Sequence, residues 1–306
     1  MQRSVHRYAQ LFSDTNLEIV CPEMTQVLSE AELMDLLPEF DGWIIGDDPA
    51  TEQVFRAGVS GQLRAAVKWG VGVDNVDFEG ARVCGLDISN TPGMFGDEVA
   101  DIAVGYVIAL ARQTFLIDRG VKSGEWPKPI GISLRGKTAA VIGFGDIGQS
   151  AATRLLALGM KITAYDPNPE SFVGFDGEYT KHNWPDGIEH ADFLVLCCAL
   201  NVHTHHILNS EILQRVKQGV RIVNISRGPL IDEDALVNAL SDGSVHSAAL
   251  EVFEHEPLPA DSRLREFEQC VFGSHNASNT QEAVDRTSEF AVKLLTKQFE
   301  TARASD

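Results

Sequence analysis

The chain is short of positive charge. Its 306 residues hold 25 Lys and Arg against 44 Asp and Glu, a formal net charge of -19. Binding to nucleic-acid phosphates or to anionic membrane surfaces depends on Lys and Arg displacing counterions, so neither nucleic acid nor membrane is expected as a partner. Cysteine is sparse and unpatterned: Cys21, Cys84, Cys197, Cys198 and Cys270 are an odd five with no C-x-x-C pair. That usage argues for reduced thiols in a cytoplasmic protein. Long apolar runs are also missing. The longest nearly unbroken one, Phe193 to Leu200, is far too short to span a bilayer, and the opening MQRSVHRYAQ has no apolar h-region, so no export or anchoring signal is expected. There is no internal repeat and no low-complexity segment. His203, His205 and His206 have no acidic or Cys partner at ligand spacing, so no metal is expected and the three read as a solvated loop. Cys197 and Cys198 lie in an apolar strand and read as buried packing rather than redox chemistry.

What is present is a regular alternation. From about Leu17 to Phe253, short apolar runs alternate with amphipathic stretches, which marks βα units around parallel sheets. The length suits two domains, each with its own core and a cleft between them. Strands are expected first at Leu17 to Cys21, Gly42 to Ile45, Leu63 to Lys68 and Leu86 to Ser89. A second series is expected at Thr138 to Ile142, Met160 to Tyr165, Asp192 to Cys198, Val220 to Ile225, Ser247 to Val252 and Cys270 to Phe272. Asp97 to Arg112 and Thr280 to Phe299 read as long helices, and Gly124 to Gly136, rich in Pro and Gly, as a surface loop.

The second series opens on a motif with a mechanism. Val141-Ile142-Gly143-Phe144-Gly145-Asp146-Ile147-Gly148 is G-x-G-x-x-G directly after an apolar β-branched run and at the start of a helical pattern. Gly143 permits the tight turn, Gly145 lets the backbone approach a pyrophosphate, and Gly148 allows close helix-sheet packing while the helix N-terminus faces the anion. Asp166, past the next strand, stands where an acidic side chain takes the adenosine ribose hydroxyls and repels a 2′-phosphate. With no Lys or Arg from Pro167 to Val173, NAD is expected over NADP. Three further strands end in polar residues at one sheet edge: Arg227, the stretch Glu251 to Glu256, and Ser274-His275-Asn276. Reduction of a 2-oxo acid needs a cation for the carboxylate and carbonyl oxygens and an acid near neutrality for the new hydroxyl. Arg and His supply these, and Glu256 could raise the His pKa and fix its tautomer.

With these motifs assembled, the chain resembles the D-isomer-specific 2-hydroxyacid dehydrogenase family, in its phosphoglycerate dehydrogenase-like branch. The resemblance rests on Gly70-Val71-Gly72-Val73-Asp74-Asn75-Val76-Asp77, Asn90-Thr91-Pro92-Gly93, the glycine motif with Asp166, Asn224-Ile225-Ser226-Arg227-Gly228-Pro229-Leu230-Ile231-Asp232, Val252-Phe253-Glu254-His255-Glu256-Pro257-Leu258-Pro259, and Ser274-His275-Asn276-Ala277-Ser278-Asn279-Thr280. It implies a Rossmann cofactor domain (97–280) inserted into a flavodoxin-like substrate domain (1–96 plus 281–306), both doubly wound parallel α/β sheets. It implies an NAD-dependent oxidoreductase acting at the C2 of a small 2-hydroxy or 2-oxo acid. Arg227 would orient the substrate, and His275 would be the general acid/base with Glu256 as its partner. Cofactor contacts would fall on Gly143, Gly145, Asp146, Ile147, Gly148, Asp166, Ile225, Ser226 and Glu251. The backbone of Val71, Gly72 and Val73 would hold the substrate carboxylate. The resemblance also implies a homodimer built on the cofactor domain, which suits the apolar helix Ile102 to Ala111.

Several positions depart from the family pattern. Gly46-Asp47-Asp48 stands where phosphoglycerate-binding relatives tend to place an Arg, which disfavours a phosphate tail and leaves Lys68 as the offsetting cation. Glu251 replaces the usual Asp that binds the nicotinamide amide, and Asp101 replaces a usual Glu. The chain stops soon after Phe299, so a regulatory appendage and serine feedback are not expected. Met1 to Phe12 reads as the helix that would follow a first strand, so the substrate domain is expected to lack that strand and the sequence to begin at an internal Met of a longer protein. The competing reading makes Val5 to Leu11 itself a strand, or a sheet that has closed up. Two other functions fit the same scaffold: oxidation of a tiny anion such as formate or phosphite, and a non-enzymatic NAD(H)-sensing scaffold. Retention of Arg227, Glu256 and His275 favours the enzyme.

Overall fold

The computed structural model describes residues 17–22 and 27–303. They fall into two compact units, one reaching Met94 and resuming at Thr280, the other Phe95–Asn279.

The first unit is built on a parallel three-stranded sheet, β1 (Gly42–Ile45), β2 (Ala65–Lys68) and β3 (Ser89–Asn90), in that order. Every residue of β2 is buried, because it is covered on both faces. Ala66 packs into a core with Leu33, Trp43, Ile45, Val54 and Phe55, while Ala65 and Val67 pack with Ala291 and Leu295 of the Gln281–Arg303 helix. This is the period-2 alternation of a strand between two helical layers. The Glu30–Leu36 helix starts at a capping box. Ser29 Oγ accepts from Glu32 N at 3.3 Å, and Glu32 Oε2 accepts from Ser29 N at 2.8 Å. The long helix is pinned by Trp69 Nε1 donating to Ser288 Oγ (3.2 Å) and Ala66 N donating to Gln298 Oε1 (3.1 Å).

Leu17 to Cys21 corrects the sequence reading. It forms no strand, and none of its residues is buried: Val20 is 52% exposed. Apolar alternation makes a strand only where a sheet edge and a covering layer receive it. The readings of Met1 to Phe12 and of Val5 to Leu11 lie outside the described residues.

The second unit is a seven-stranded parallel sheet. Its strands are β4 (Thr138–Ile142), β5 (Lys161–Tyr165), β6 (Thr180–Lys181), β7 (Phe193–Leu196), β8 (Val220–Asn224), β9 (Val245–Leu250) and β10 (Val271–Phe272). Their order is β10-β9-β8-β7-β4-β5-β6, so the chain reverses direction across the sheet between β4 and β7. A doubly wound sheet opens its ligand crevice at that point. Six of the strands lie at the expected runs. The seventh, β6, is two exposed polar residues and carries no apolar signal.

Register fixes where the site must be. Ile142 pairs with Tyr165 and with Leu196, Leu196 with Asn224, Asn224 with Leu250, and Leu250 with Phe272. The carboxyl ends of six strands therefore form one row, and the residues that follow them emerge along a single sheet edge.

Candidate active site

The glycine motif sits at the centre of that edge, and each glycine has its own constraint. Gly143 has φ +90°, and a Cβ there would come within 2.4 Å of Cys198 N. A Cβ on Gly148 would lie 2.1 Å from Gly143 O, so this glycine sets how closely the Asp146–Ala157 helix approaches the strand. A Cβ on Gly145 would meet nothing within 4 Å, and Gly145 begins a helix that no side chain caps. The open face and the uncapped N–H groups fit a dinucleotide pyrophosphate. The Asp146 carboxylate is turned away, packed where a Cβ on Gly96 would touch it at 2.6 Å, so Asp146 can meet a cofactor only through its backbone. Ile147 is half-buried.

Asp166 follows β5. Its Oδ2 accepts from Phe144 N and its Oδ1 from Asn168 N, both at 2.8 Å, so the carboxylate tethers the glycine loop from within. Each oxygen keeps a lone pair for a ribose hydroxyl. Cys197 and Cys198 lie just past the end of β7, against Gly143, and burial pushes the Cys198 thiol up to about 12. They are inert as thiolates.

Beyond β8, Asn224 is fully buried and shapes the loop. Its Nδ2 donates to Arg227 O (2.8 Å), and its Oδ1 accepts from Ser226 N (3.1 Å). Ser226 Oγ donates to Cys198 O at 2.5 Å, and Arg227 Nη1 donates to Ser226 O at 2.8 Å. Ile225 is buried, so a cofactor could meet only its backbone. Gly228 lies so close to the next loop that a Cβ would fall 1.8 Å from Phe253 C.

That contact carries the third element. Glu256 Oε1 accepts from Phe253 N (3.0 Å), and Glu256 Oε2 lies 2.8 Å from His275 Nδ1. Burial pushes the Glu256 carboxyl up, but His275, the Phe253 N–H and the Arg227 charge together hold it below the ordinary carboxylate value. Arg227, Glu256 and His275, scattered in sequence, thus act on one another. His275 has φ +56°, and its N donates to Glu251 O at 2.8 Å.

Residues 104–277 match the NAD binding domain of the D-isomer specific 2-hydroxyacid dehydrogenases. The chain belongs to that family. It is 36% identical over 284 residues to the hydroxypyruvate reductase of Thermotoga maritima, covering 89% of this chain and 88% of that protein. It is also 36% identical over 259 residues to D-3-phosphoglycerate dehydrogenase 2, chloroplastic, of Arabidopsis thaliana, covering 84% of this chain but 41% of the relative. Among solved structures, the TT0316 protein of Thermus thermophilus superposes with a TM-score of 0.88 at 29% identity, covering 96% of this chain and 94% of the other. As a family member the protein is an NAD-linked oxidoreductase of hydroxy acids.

Three site expectations change in detail. Lys68 is 2% exposed; its Nζ donates to Gly46 O and pairs with Asp47 Oδ1 at 3.4 Å, so it offsets Asp47 from a buried position in the first unit. A strand-end Lys flanked by buried apolar residues has only nearby carbonyls and carboxylates to satisfy it. Glu251 is 3% exposed, with Tyr106 Oη donating to its Oε2 and Asn276 N to its Oε1. His206 is not part of a merely solvated loop: its Nε2 meets Glu254 Oε1 at 2.5 Å, and Glu254 N donates to Glu233 Oε1 at 2.8 Å. The acidic partner comes from far along the chain, so local ligand spacing could not show it. In the first unit, Gly70 N donates to Thr91 Oγ1 (2.8 Å) and Asn90 Nδ2 to Val71 O (3.3 Å). Among the described residues, the N–H groups of Val71, Gly72 and Val73 have no protein acceptor.

Sequence reasoning gives no role to Tyr106 or Gly273, and Asn224 enters it only as part of a motif. Asn224 carried a signal, an amide at the end of an apolar strand. Tyr106 carried almost none, being one aromatic on an apolar helix.

Proposed function

We propose that this protein transfers a hydride between NAD(H) and the C2 of a small, unphosphorylated 2-hydroxy or 2-oxo acid, with His275 as general acid/base. The 2.8 Å contact between His275 Nδ1 and Glu256 Oε2 carries this reading. Bound NADH supplies the hydride in the reducing direction. The rest of the work belongs to the chain. The Glu256 carboxylate engages Nδ1, leaving Nε2 to give its proton to the carbonyl oxygen as that oxygen becomes a hydroxyl. The ring is then neutral, with Nδ1–H still on Glu256. In the oxidising direction Nε2 takes the hydroxyl proton back. Arg227, charged at every working pH, attracts the substrate carboxylate and the carbonyl oxygen as negative charge builds on it. In the first unit, the N–H groups of Val71, Gly72 and Val73 are the ones that the family resemblance implies for the substrate carboxylate, and three backbone donors in succession suit an anion.

Two observations favour an unphosphorylated substrate. Gly46-Asp47-Asp48 stands where phosphoglycerate-binding relatives tend to place an Arg, and Lys68, buried and already bonded to Gly46 O and Asp47, is no substitute for that Arg. The name of the Thermotoga maritima relative, a hydroxypyruvate reductase, agrees with a small unphosphorylated acid.

The test is steady-state kinetics with NADH binding measured separately. His275→Ala and Arg227→Ala are expected to lower kcat by about 10²- to 10⁴-fold and to leave the NADH Kd nearly unchanged. A variant that loses NADH affinity but turns over normally at saturating cofactor rejects the assigned role.

A further inference from the structure

Glu251 sits where the family resemblance expects a nicotinamide contact, and each of its carboxylate oxygens already accepts one hydrogen bond from the protein. Tyr106 Oη, from the Gly96–Arg112 helix, donates to Oε2, and Asn276 N donates to Oε1. The backbone of the same residue works as well: Glu251 O accepts from His275 N at 2.8 Å. One buried residue therefore grips the chain on both peptide units around the His275 Cα, the backbone carbonyl at His275 N and the side chain at Asn276 N.

His275 needs such a grip. Its φ of +56° is a left-handed conformation that a residue bearing a Cβ adopts reluctantly and holds only where neighbours impose it. Asn276 is fastened further, through Asn279 N donating to its O (3.0 Å) and Asn279 Nδ2 to its Oδ1 (2.7 Å). Gly273 completes the arrangement. A Cβ at that position would lie 1.9 Å from Glu251 Oε2 and 2.6 Å from Tyr106 Oη. The extra methylene of Glu over Asp, the hydroxyl of Tyr106 and the missing side chain at 273 fit one another: the longer acid reaches the tyrosine through the space the glycine leaves. Burial and the Glu251 carboxylate both push the Tyr106 phenol up, so it remains a donor at every working pH.

We propose that Tyr106, Glu251 and Gly273 form a positioning clamp that holds His275 in its left-handed conformation, facing Glu256. The clamp rests on the reading of His275 as general acid/base for its catalytic consequence, but not for its existence.

Tyr106→Phe removes only the hydroxyl, and Gly273→Ala drives Glu251 from its seat. In the cofactor-free protein, amide exchange at Asn276, whose acceptor is the Glu251 carboxylate, is expected to speed up by about 10-fold or more in both variants relative to wild type, and exchange at His275, bonded to the Glu251 backbone carbonyl, to speed up with it as the segment loosens. In the full enzyme, kcat is expected to fall by about 10-fold, and the alkaline limb of the reduction profile to move to lower pH as His275 loosens from Glu256. In Tyr106→Phe, which leaves the Glu251 carboxylate in place, the NADH Kd is expected to stay within about 2-fold. Tyr106→Phe combined with Glu251→Gln is expected to cost less than the two single changes multiplied, as coupled partners do. Unchanged exchange at both amides, or a large rise in NADH Kd in Tyr106→Phe, overturns the clamp. His275→Ala, assayed beside these variants, isolates the other reading: wild-type turnover there rejects the acid/base role, while the exchange data still decide the clamp.

Discussion

At the residue scale, function depends on what each polar side chain is already bonded to. Asp166 shows the point. Its carboxylate both tethers the glycine loop, through Phe144 N, and stands beyond β5 where an acid excludes a 2′-phosphate. Asp166→Ala is therefore expected to weaken NAD binding by about 10-fold, the loss of one charge-assisted hydrogen bond, and to narrow the preference for NAD over NADP. Cofactor titrations check this, and a wild type that already prefers NADP contradicts it. Glu256 gives a pH prediction. Its pKa is depressed in the folded protein, so its contribution to stability is present above the unfolded value of about 4.3 and fades as pH falls through the depressed value. The melting difference between wild type and Glu256→Gln should accordingly shrink in acid; a difference that grows as pH falls contradicts the pairing. Asp166, Arg227, Glu256 and His275 were legible in the sequence because each follows an apolar run at a sheet edge. The bonds of Glu251 were not. Its longer side chain was visible, but Tyr106 and Gly273 lie far from it in the chain, and only packing brings them together.

At the scale of elements, the fold was legible wherever burial is two-sided. β7 and β8 are buried along their whole length and read as apolar runs, and β4 differs only at its first residue. β6, with two exposed residues, has no such signature. Leu17 to Cys21 had the pattern of a strand without a place in a sheet. The glycine turn joins element to function. Gly148→Ala puts a methyl 2.1 Å from Gly143 O, a backbone atom that cannot give way without moving the strand end. The expected cost is about 1–3 kcal/mol of stability, together with weaker NAD binding as the helix N-terminus shifts. Chemical denaturation and cofactor titration of the variant test both; unchanged stability with unchanged affinity shows that the close approach is dispensable.

At the scale of the molecule, the second unit carries the glycine loop, Arg227 and the Glu256–His275 pair along one row of strand ends, while the first carries the N–H groups of Val71, Gly72 and Val73 and the acidic Asp47. Several apolar side chains of the second unit are exposed, among them Phe115, Trp126 and Ile130, with Ile102 and Ile108 on the Gly96–Arg112 helix. Together with the family resemblance they support a homodimer, and sedimentation at micromolar concentration should show one; a monomer throughout contradicts it. The most direct test of the account is NADH-dependent reduction of a panel of 2-oxo acids, glyoxylate, hydroxypyruvate and pyruvate beside 3-phosphohydroxypyruvate, by wild type and His275→Ala. Wild type is expected to reduce at least one unphosphorylated acid with a kcat/KM about 10-fold or more above the phosphorylated one, about 1.4 kcal/mol of discrimination, and His275→Ala to reduce none appreciably. Efficient turnover of 3-phosphohydroxypyruvate, or undiminished turnover in His275→Ala, would contradict it.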